Sequence, residues 1–288
     1  MLEDQPSQTA MATAAMRAAH RLHDDPLLFD DPIAGDLTSE SWRETLASGE
    51  IMEYFERLDL MRIVTQIVGR ARFVDDRLEE SLASGATQYV LLGAGLDSFA
   101  WRRPDLAERL RIIEVDHPAT QNYKRERLAE IGLRVPANLE FLPVDFETET
   151  LDEALGRTSF NPDARTFYAW MGVVSYLTRE TMLATVAAVA RCSAAGSRLV
   201  FDFPIALELL SEEARAMSKT MDEGTKGLGE SRKDKHHPEE LRRDVEALGF
   251  FRTVELSPAD HEALYWNDRS DGRRANPQVH LIEFERSA

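Results

Sequence analysis

QYVLLGAGLDSFAWR, residues 88–102, runs from a block of apolar side chains into Gly93-Ala94-Gly95, and RIIEVD follows at 111–116. The uninterrupted apolar run at 89–92 reads as a strand buried on both faces of a parallel sheet. Gly93 and Gly95 end it, and a strand that runs into Gly-x-Gly brings backbone close to something a Cβ would strike. The second apolar run closes on Glu114 and Asp116. That is about 20 residues past the first glycine, where nucleotide-binding α/β folds place the carboxylate that takes ribose hydroxyls. Together the two runs read as a nucleoside site.

Which nucleoside is held turns on the position three after the second glycine. A dinucleotide fingerprint has glycine there so that a helix N-terminus can seat a pyrophosphate. Here it is Ser98, preceded by Asp97. A carboxylate at that turn repels a pyrophosphate and suits a cationic ligand such as the sulfonium or ammonium of S-adenosylmethionine. The stretch therefore favours S-adenosylmethionine over NAD. An NAD(P)-dependent oxidoreductase and a non-catalytic S-adenosylmethionine-binding protein stay open as alternatives.

The chain has 288 residues, 43% of them hydrophobic, enough for one α/β domain spanning 1–288. Its 34 Lys+Arg against 51 Asp+Glu give a net charge of −17, with the acid spread along the chain. Nucleic acid is a poor partner for such a surface, because neutralising phosphates needs a basic face. One cysteine, Cys192, excludes an internal disulfide and a multi-cysteine metal site. The first residues lack the basic start and apolar run of a signal peptide, and no stretch approaches a membrane span. The expectation is a cytoplasmic protein with a small-molecule partner and no membrane partner.

Residues 1–50 read as a helical arm or cap. Their helix at 9–22 looks too weakly apolar for the core and suits a cover over a pocket. Residues 51–82 carry the longest helical pattern, with Ile63, Ile67, Phe73, Val74 and Leu78 on one side and Gly69 as a dividing point. Arg70 and Arg72 interrupt it, and one guanidinium pointing at the strand ends would clamp a ligand carboxylate. Strands at 139–144, 166–171 and 197–203 alternate with helices at 119–131 and 180–190, which gives a parallel sheet covered on both faces. Asp145, just past a strand end, is placed to meet an adenine amino group. Residues 207–238, glycine-rich and charged toward their end, read as a lid insertion. Runs at 251–256 and 280–284 suit an antiparallel pair at the sheet edge.

VLLGAGLDSFAWR, IIEVDHP with Lys124 beyond it, PVDFE and YAWMGVVSYLT together resemble the leucine carboxyl methyltransferase-like family of class I S-adenosylmethionine-dependent methyltransferases. Polyketide O-methyltransferases are among its members, and the resemblance covers nearly the whole chain. It implies a Rossmann-like, seven-stranded, mostly parallel sheet with helices on both faces, an antiparallel last strand and a helical cap. It also implies methyl transfer to oxygen, a carboxylate or hydroxyl of a small molecule such as a polyketide-like metabolite. Carried over residue by residue, Arg70 resembles the arginine that clamps the cofactor carboxylate, with Arg72 as its neighbour. Gly93, Ala94, Gly95 and Asp97 correspond to the cofactor turn, Asp116 with His117 to the ribose acid, and Asp145 with Phe146 to the pair at the adenine. One position departs: Met171 stands where the family commonly has glutamate near the methionine part of the cofactor. A carboxylate acceptor needs no base. A hydroxyl does, and Tyr176, His236, His237 and His261 are the candidates. The His236-His237 pair has no acid or cysteine at ligand spacing, so no metal is expected.

Overall fold

The computed structural model describes residues 5–145 and 149–288. Its strands are β1 (Gln88–Leu92), β2 (Arg111–Asp116), β3 (Leu139–Pro143), β4 (Thr166–Trp170), β5 (Arg198–Pro204), β6 (Phe250–Leu256) and β7 (Val279–Arg286). They form one seven-stranded sheet in the order β3-β2-β1-β4-β5-β7-β6. β1 to β5 pair in parallel, and β7 runs antiparallel to both its neighbours. The helices in chain order are α1 (Gln8–His23), α2 (Glu40–Ala47), α3 (Ile51–Arg57), α4 (Met61–Ala83), α5 (Phe99–Arg102), α6 (Pro118–Glu130), α7 (Leu151–Leu155), α8 (Arg179–Cys192), α9 (Glu212–Gly227), α10 (Pro238–Glu246) and α11 (Pro258–Tyr265).

The two-residue period of a strand explains why β1 has no polar interruption. Val90 and Leu92 pack with Ile113 and Val115 against Met182, Val186 and Val189 of α8. Tyr89 and Leu91 point the other way, onto Phe73, Val74 and Leu78 of α4 and Phe99 of α5. Both faces are dry, so a polar residue inside the run would need a buried partner. The strand order reverses between β1 and β4, with Leu91 beside Ala169. A ligand crevice opens outside the carboxyl ends of strands at such a reversal.

The structure revises four details of the sequence reading. α1 is core, with Met11, Ala14, Ala15 and Ala19 almost fully buried. Its alanines have little apolar bulk but let it lie close against α4. The long helical pattern divides at residues 58–60, where Asp59 takes φ +53°, and Gly69 remains inside α4. Gly69 is small because the imidazole of His261 occupies the space where a Cβ would stand. The lid region is largely helical, since α9 continues through Gly224 to Gly227 from an N-cap in which Ser211 accepts from the Ala214 N–H. Finally, β6 and β7 form the antiparallel pair at the sheet edge as read, but the connection between them contains a helix, α11. Among the described residues no helix is long and apolar enough to cross a membrane.

The contact that makes Gly69 necessary also sets an acid sensitivity. Burial pushes the His261 imidazole down to about 4, and its Nε2 has no hydrogen-bond partner among the described residues. An unfolded histidine takes its proton near pH 6.5, so stability present above that pH is lost as pH falls toward the folded value. The expected loss from this group between pH 7 and 4 is about 3 kcal/mol. Chemical denaturation at both pH values checks it, because His261→Asn should show a loss smaller by that amount.

Candidate active site

A cavity of about 1280 Å³ lies at the carboxyl ends of the strands. Its floor is the turn after β1, the ends of β2, β3 and β5, and the loop after β4; α1, α4 and α9 form its walls and roof. The turn exists because Gly93 and Gly95 hold φ +71° and +54°. A Cβ on Gly93 would collide with the Val173 side chain, and one on Gly95 would stand 3.2 Å from Ala10 of α1. Asp97 accepts the Phe99 N–H at 2.7 Å, holding the entry to α5 while lining the cavity.

Asp116 ties this turn to the neighbouring strand. One carboxylate oxygen accepts the Gly95 N–H and the other the His117 N–H, the latter at 2.6 Å. Burial pushes this carboxyl up while the two backbone donors pull it down. Each oxygen keeps a lone pair for a further donor, the provision a ribose diol needs. His117 lines the cavity too, and its Nδ1 accepts the Ala119 N–H at 3.3 Å, capping α6. Ala94 and Asp145 complete this end. Phe146 lies outside the described residues.

At the opposite end Arg70 faces the cavity and donates from Nη1 to Asp202 of β5 at 3.1 Å. Arg72 does not enter the cavity: two positions along α4 it points outward, paired with Asp76 at 2.8 Å. Helical geometry is the reason, since residues two apart lie on different faces. Met171 lines the cavity between these ends and packs on the apolar layer beneath it. Tyr176 also lines it, whereas His236 and His237 do not. His236 is buried beside the Phe203 ring, its backbone bridged to Ile205, and His237 precedes α10 as its N-cap. His261 is the packing residue against α4 described above.

Some contacts around the cavity are not visible in the sequence. Asp202 lies inside the apolar run of β5, between Phe201 and Phe203, and was read only as part of a strand. Glu114 points away from the cavity into a buried pair with Lys124 at 2.5 Å. Burial pushes that carboxyl up to about 7 against the pull of Lys124. The chain following α9 meets the start of α1: Glu230 accepts from the Ser7 hydroxyl at 3.0 Å, the Gln8 N–H at 2.9 Å and the Thr9 hydroxyl. No sequence pattern joins positions more than two hundred residues apart.

A seven-stranded sheet of this order, reversed at β7 and with its crevice at the β1–β4 turn, carries the architecture of the S-adenosylmethionine-dependent methyltransferases. The leucine carboxyl methyltransferase family model matches residues 10–190, and the chain belongs to that family. YktD of Bacillus subtilis (strain 168), named as an S-adenosyl-L-methionine-dependent methyltransferase, is 33% identical over 301 aligned residues covering 98% of each chain. A similarly named protein of Mycobacterium avium (strain 104) is 33% identical over 196 residues, 67% of this chain and 65% of that one. The fold is similar to a crystal structure from Thermobifida fusca YX described as a methyltransferase, with TM-score 0.60 and 16% identity over 99% of this chain and 96% of that one. The cofactor is S-adenosyl-L-methionine, and the residues present suit it. A tight glycine turn lies at one end, with a diol-ready carboxylate beside it and a guanidinium at the other end.

Two measurements separate binding groups from supporting ones. Arg70→Ala should weaken S-adenosylhomocysteine binding at least tenfold, as expected for loss of a charge-assisted hydrogen bond, while Arg72→Ala leaves it unchanged in calorimetric titration. Lys124→Met should destabilise the fold by about 3–5 kcal/mol because Glu114 is left buried without its partner. Pairing it with Glu114→Gln should restore most of that stability in chemical denaturation.

Proposed function

We propose that this enzyme transfers the cofactor's methyl group to an oxygen of an apolar small molecule, and that the acceptor oxygen belongs to a carboxylate in preference to a hydroxyl. The observation that carries this reading is which groups surround the cavity. Away from the strand ends its walls are Met16 and Phe29, Ile63 and Ile67 of α4, and Met217 and Met221 of α9. Such walls suit a bulky apolar acceptor, and methionines adapt to irregular shapes. Among the described residues His117 is the only histidine that lines the cavity, and it sits beside Asp116. Tyr176 is the remaining candidate for proton chemistry. Burial pushes its hydroxyl up, so at neutral pH it keeps its proton and serves as a hydrogen-bond donor to an acceptor oxygen, not as a base. An acceptor that arrives already ionised needs nothing more.

When bound, the cofactor supplies an electrophilic methyl on a sulfonium, which an oxygen lone pair takes as the carbon–sulfur bond breaks. The protein's part is to align that oxygen and exclude water. We assign exclusion to residues 1–50 as an arm and 207–238 as a lid, joined over the cavity by Glu230. The family's carboxyl-directed name agrees with the acceptor reading.

The test uses methyl-labelled S-adenosylmethionine with matched acids, alcohols and phenols on the same apolar skeletons. Label should enter the acids as a base-labile ester, with a rate flat above about pH 6 because no protein base titrates. Transfer confined to alcohols or phenols, or a rate climbing through the histidine range, would sink the reading.

A further inference from the structure

We infer that Asp202 anchors the ammonium of the cofactor's amino-acid end, so that Arg70 and Asp202 together recognise a zwitterion. This rests on the cofactor assignment above and extends it to a residue on a different strand from the glycine turn. Asp202 is 4% exposed, yet it borders the cavity. Its Oδ1 accepts the Gly172 N–H at 2.5 Å, and its Oδ2 accepts from Arg70 Nη1 at 3.1 Å and Gln66 Nε2 at 3.4 Å. Gln66 is itself held by Asn276, whose amide donates to its Oε1 at 2.6 Å.

A carboxylate so buried in a cavity wall must be compensated, and here the compensation is partial. Arg70 reaches it through one nitrogen, not the two-pronged contact that an arginine and a carboxylate make when they satisfy each other fully. The guanidinium keeps donors in hand, and the carboxylate keeps acceptor capacity. A ligand that brings a carboxylate and an ammonium on one carbon fits such a pair, because each of its charges finds the opposite sign.

Position supports the same assignment. The nucleoside end is fixed at β1 and β2 by the glycine turn and Asp116, so the amino-acid end extends toward β4 and β5. Trp170 and Phe201 are the last paired residues of those strands, which sets Met171 and Asp202 side by side one step further on. Met171 brings no charge there. Among the cavity acids nearby, Asp116 serves the nucleoside end, Asp75 is committed to Arg102 through contacts of 2.8 and 3.3 Å, and Asp97 accepts the Phe99 N–H. Asp202 supplies from β5 the negative charge that β4 lacks.

Calorimetric titration of the full chain with three ligands tests this: S-adenosylhomocysteine, its analogue without the α-amino group, and methylthioadenosine, which has neither charge of the tail. In the wild type, loss of the amino group should weaken binding about tenfold to a hundredfold, the range of a charge-assisted hydrogen bond. In Asp202→Asn that difference should largely vanish, while methylthioadenosine binds as in the wild type. Equal losses for S-adenosylhomocysteine and methylthioadenosine in the variant would make Asp202 a structural residue and overturn the proposal. Should Asp202→Asn not fold, the wild type decides alone, since indifference to the amino group overturns the assignment. A wild type that binds none of the three ligands brings down the cofactor assignment as well, a result distinct from indifference to the amine.

Discussion

Val173 stands where a side chain on Gly93 would be, and the arrangement of the cavity follows from that close approach. It lets the turn after β1 meet the loop after β4 at the point where the strand order reverses. Gly95 extends the constraint to a third element, since Ala10 of α1 rests on it. Any larger residue at 93 would separate the two loops before it disturbed the sheet. The glycines are thus packing residues, and what they pack is the wall of the cavity.

Charge inside the molecule is arranged differently from charge on its surface. The chain carries a net −17, but the acids nearest the cavity are individually engaged: Asp116 by two backbone N–H groups, Asp75 by Arg102, Asp202 by Arg70. Burying any of them unpartnered would cost several kcal/mol. The engagement also fixes geometry, because a carboxylate held by two donors cannot rotate. The buried Glu114–Lys124 pair is a hidden extension of the same scheme, bracing β2 against α6 behind the site.

Periodicity and turn chemistry made the sheet legible. Five parallel strands, the reversed β7, the glycine turn and the acids at 116 and 145 all announce themselves through local pattern. Asp202 was overlooked because it sits within β5, between two phenylalanines, and not at the strand's end as Asp116 does. Arg70 and Arg72 could not be separated without knowing which face of α4 turned inward. The core role of α1 was hidden because alanine contributes through close approach instead of bulk. His236 shows the reverse error, a residue with chemical promise that serves as packing. Pattern reports local periodicity, and these outcomes depended on which distant element each residue met.

Glu230 occupies the first turn of α1, where backbone N–H groups have no partners within the helix and a negative charge is welcome. Because α1 is itself packed in the core, Glu230 fastens the chain after α9 to a fixed element, and displacing that chain would leave these N–H groups without their acceptor. A single carboxylate thus ties the last part of 207–238 to the opposite end of the sequence at the rim of the cavity.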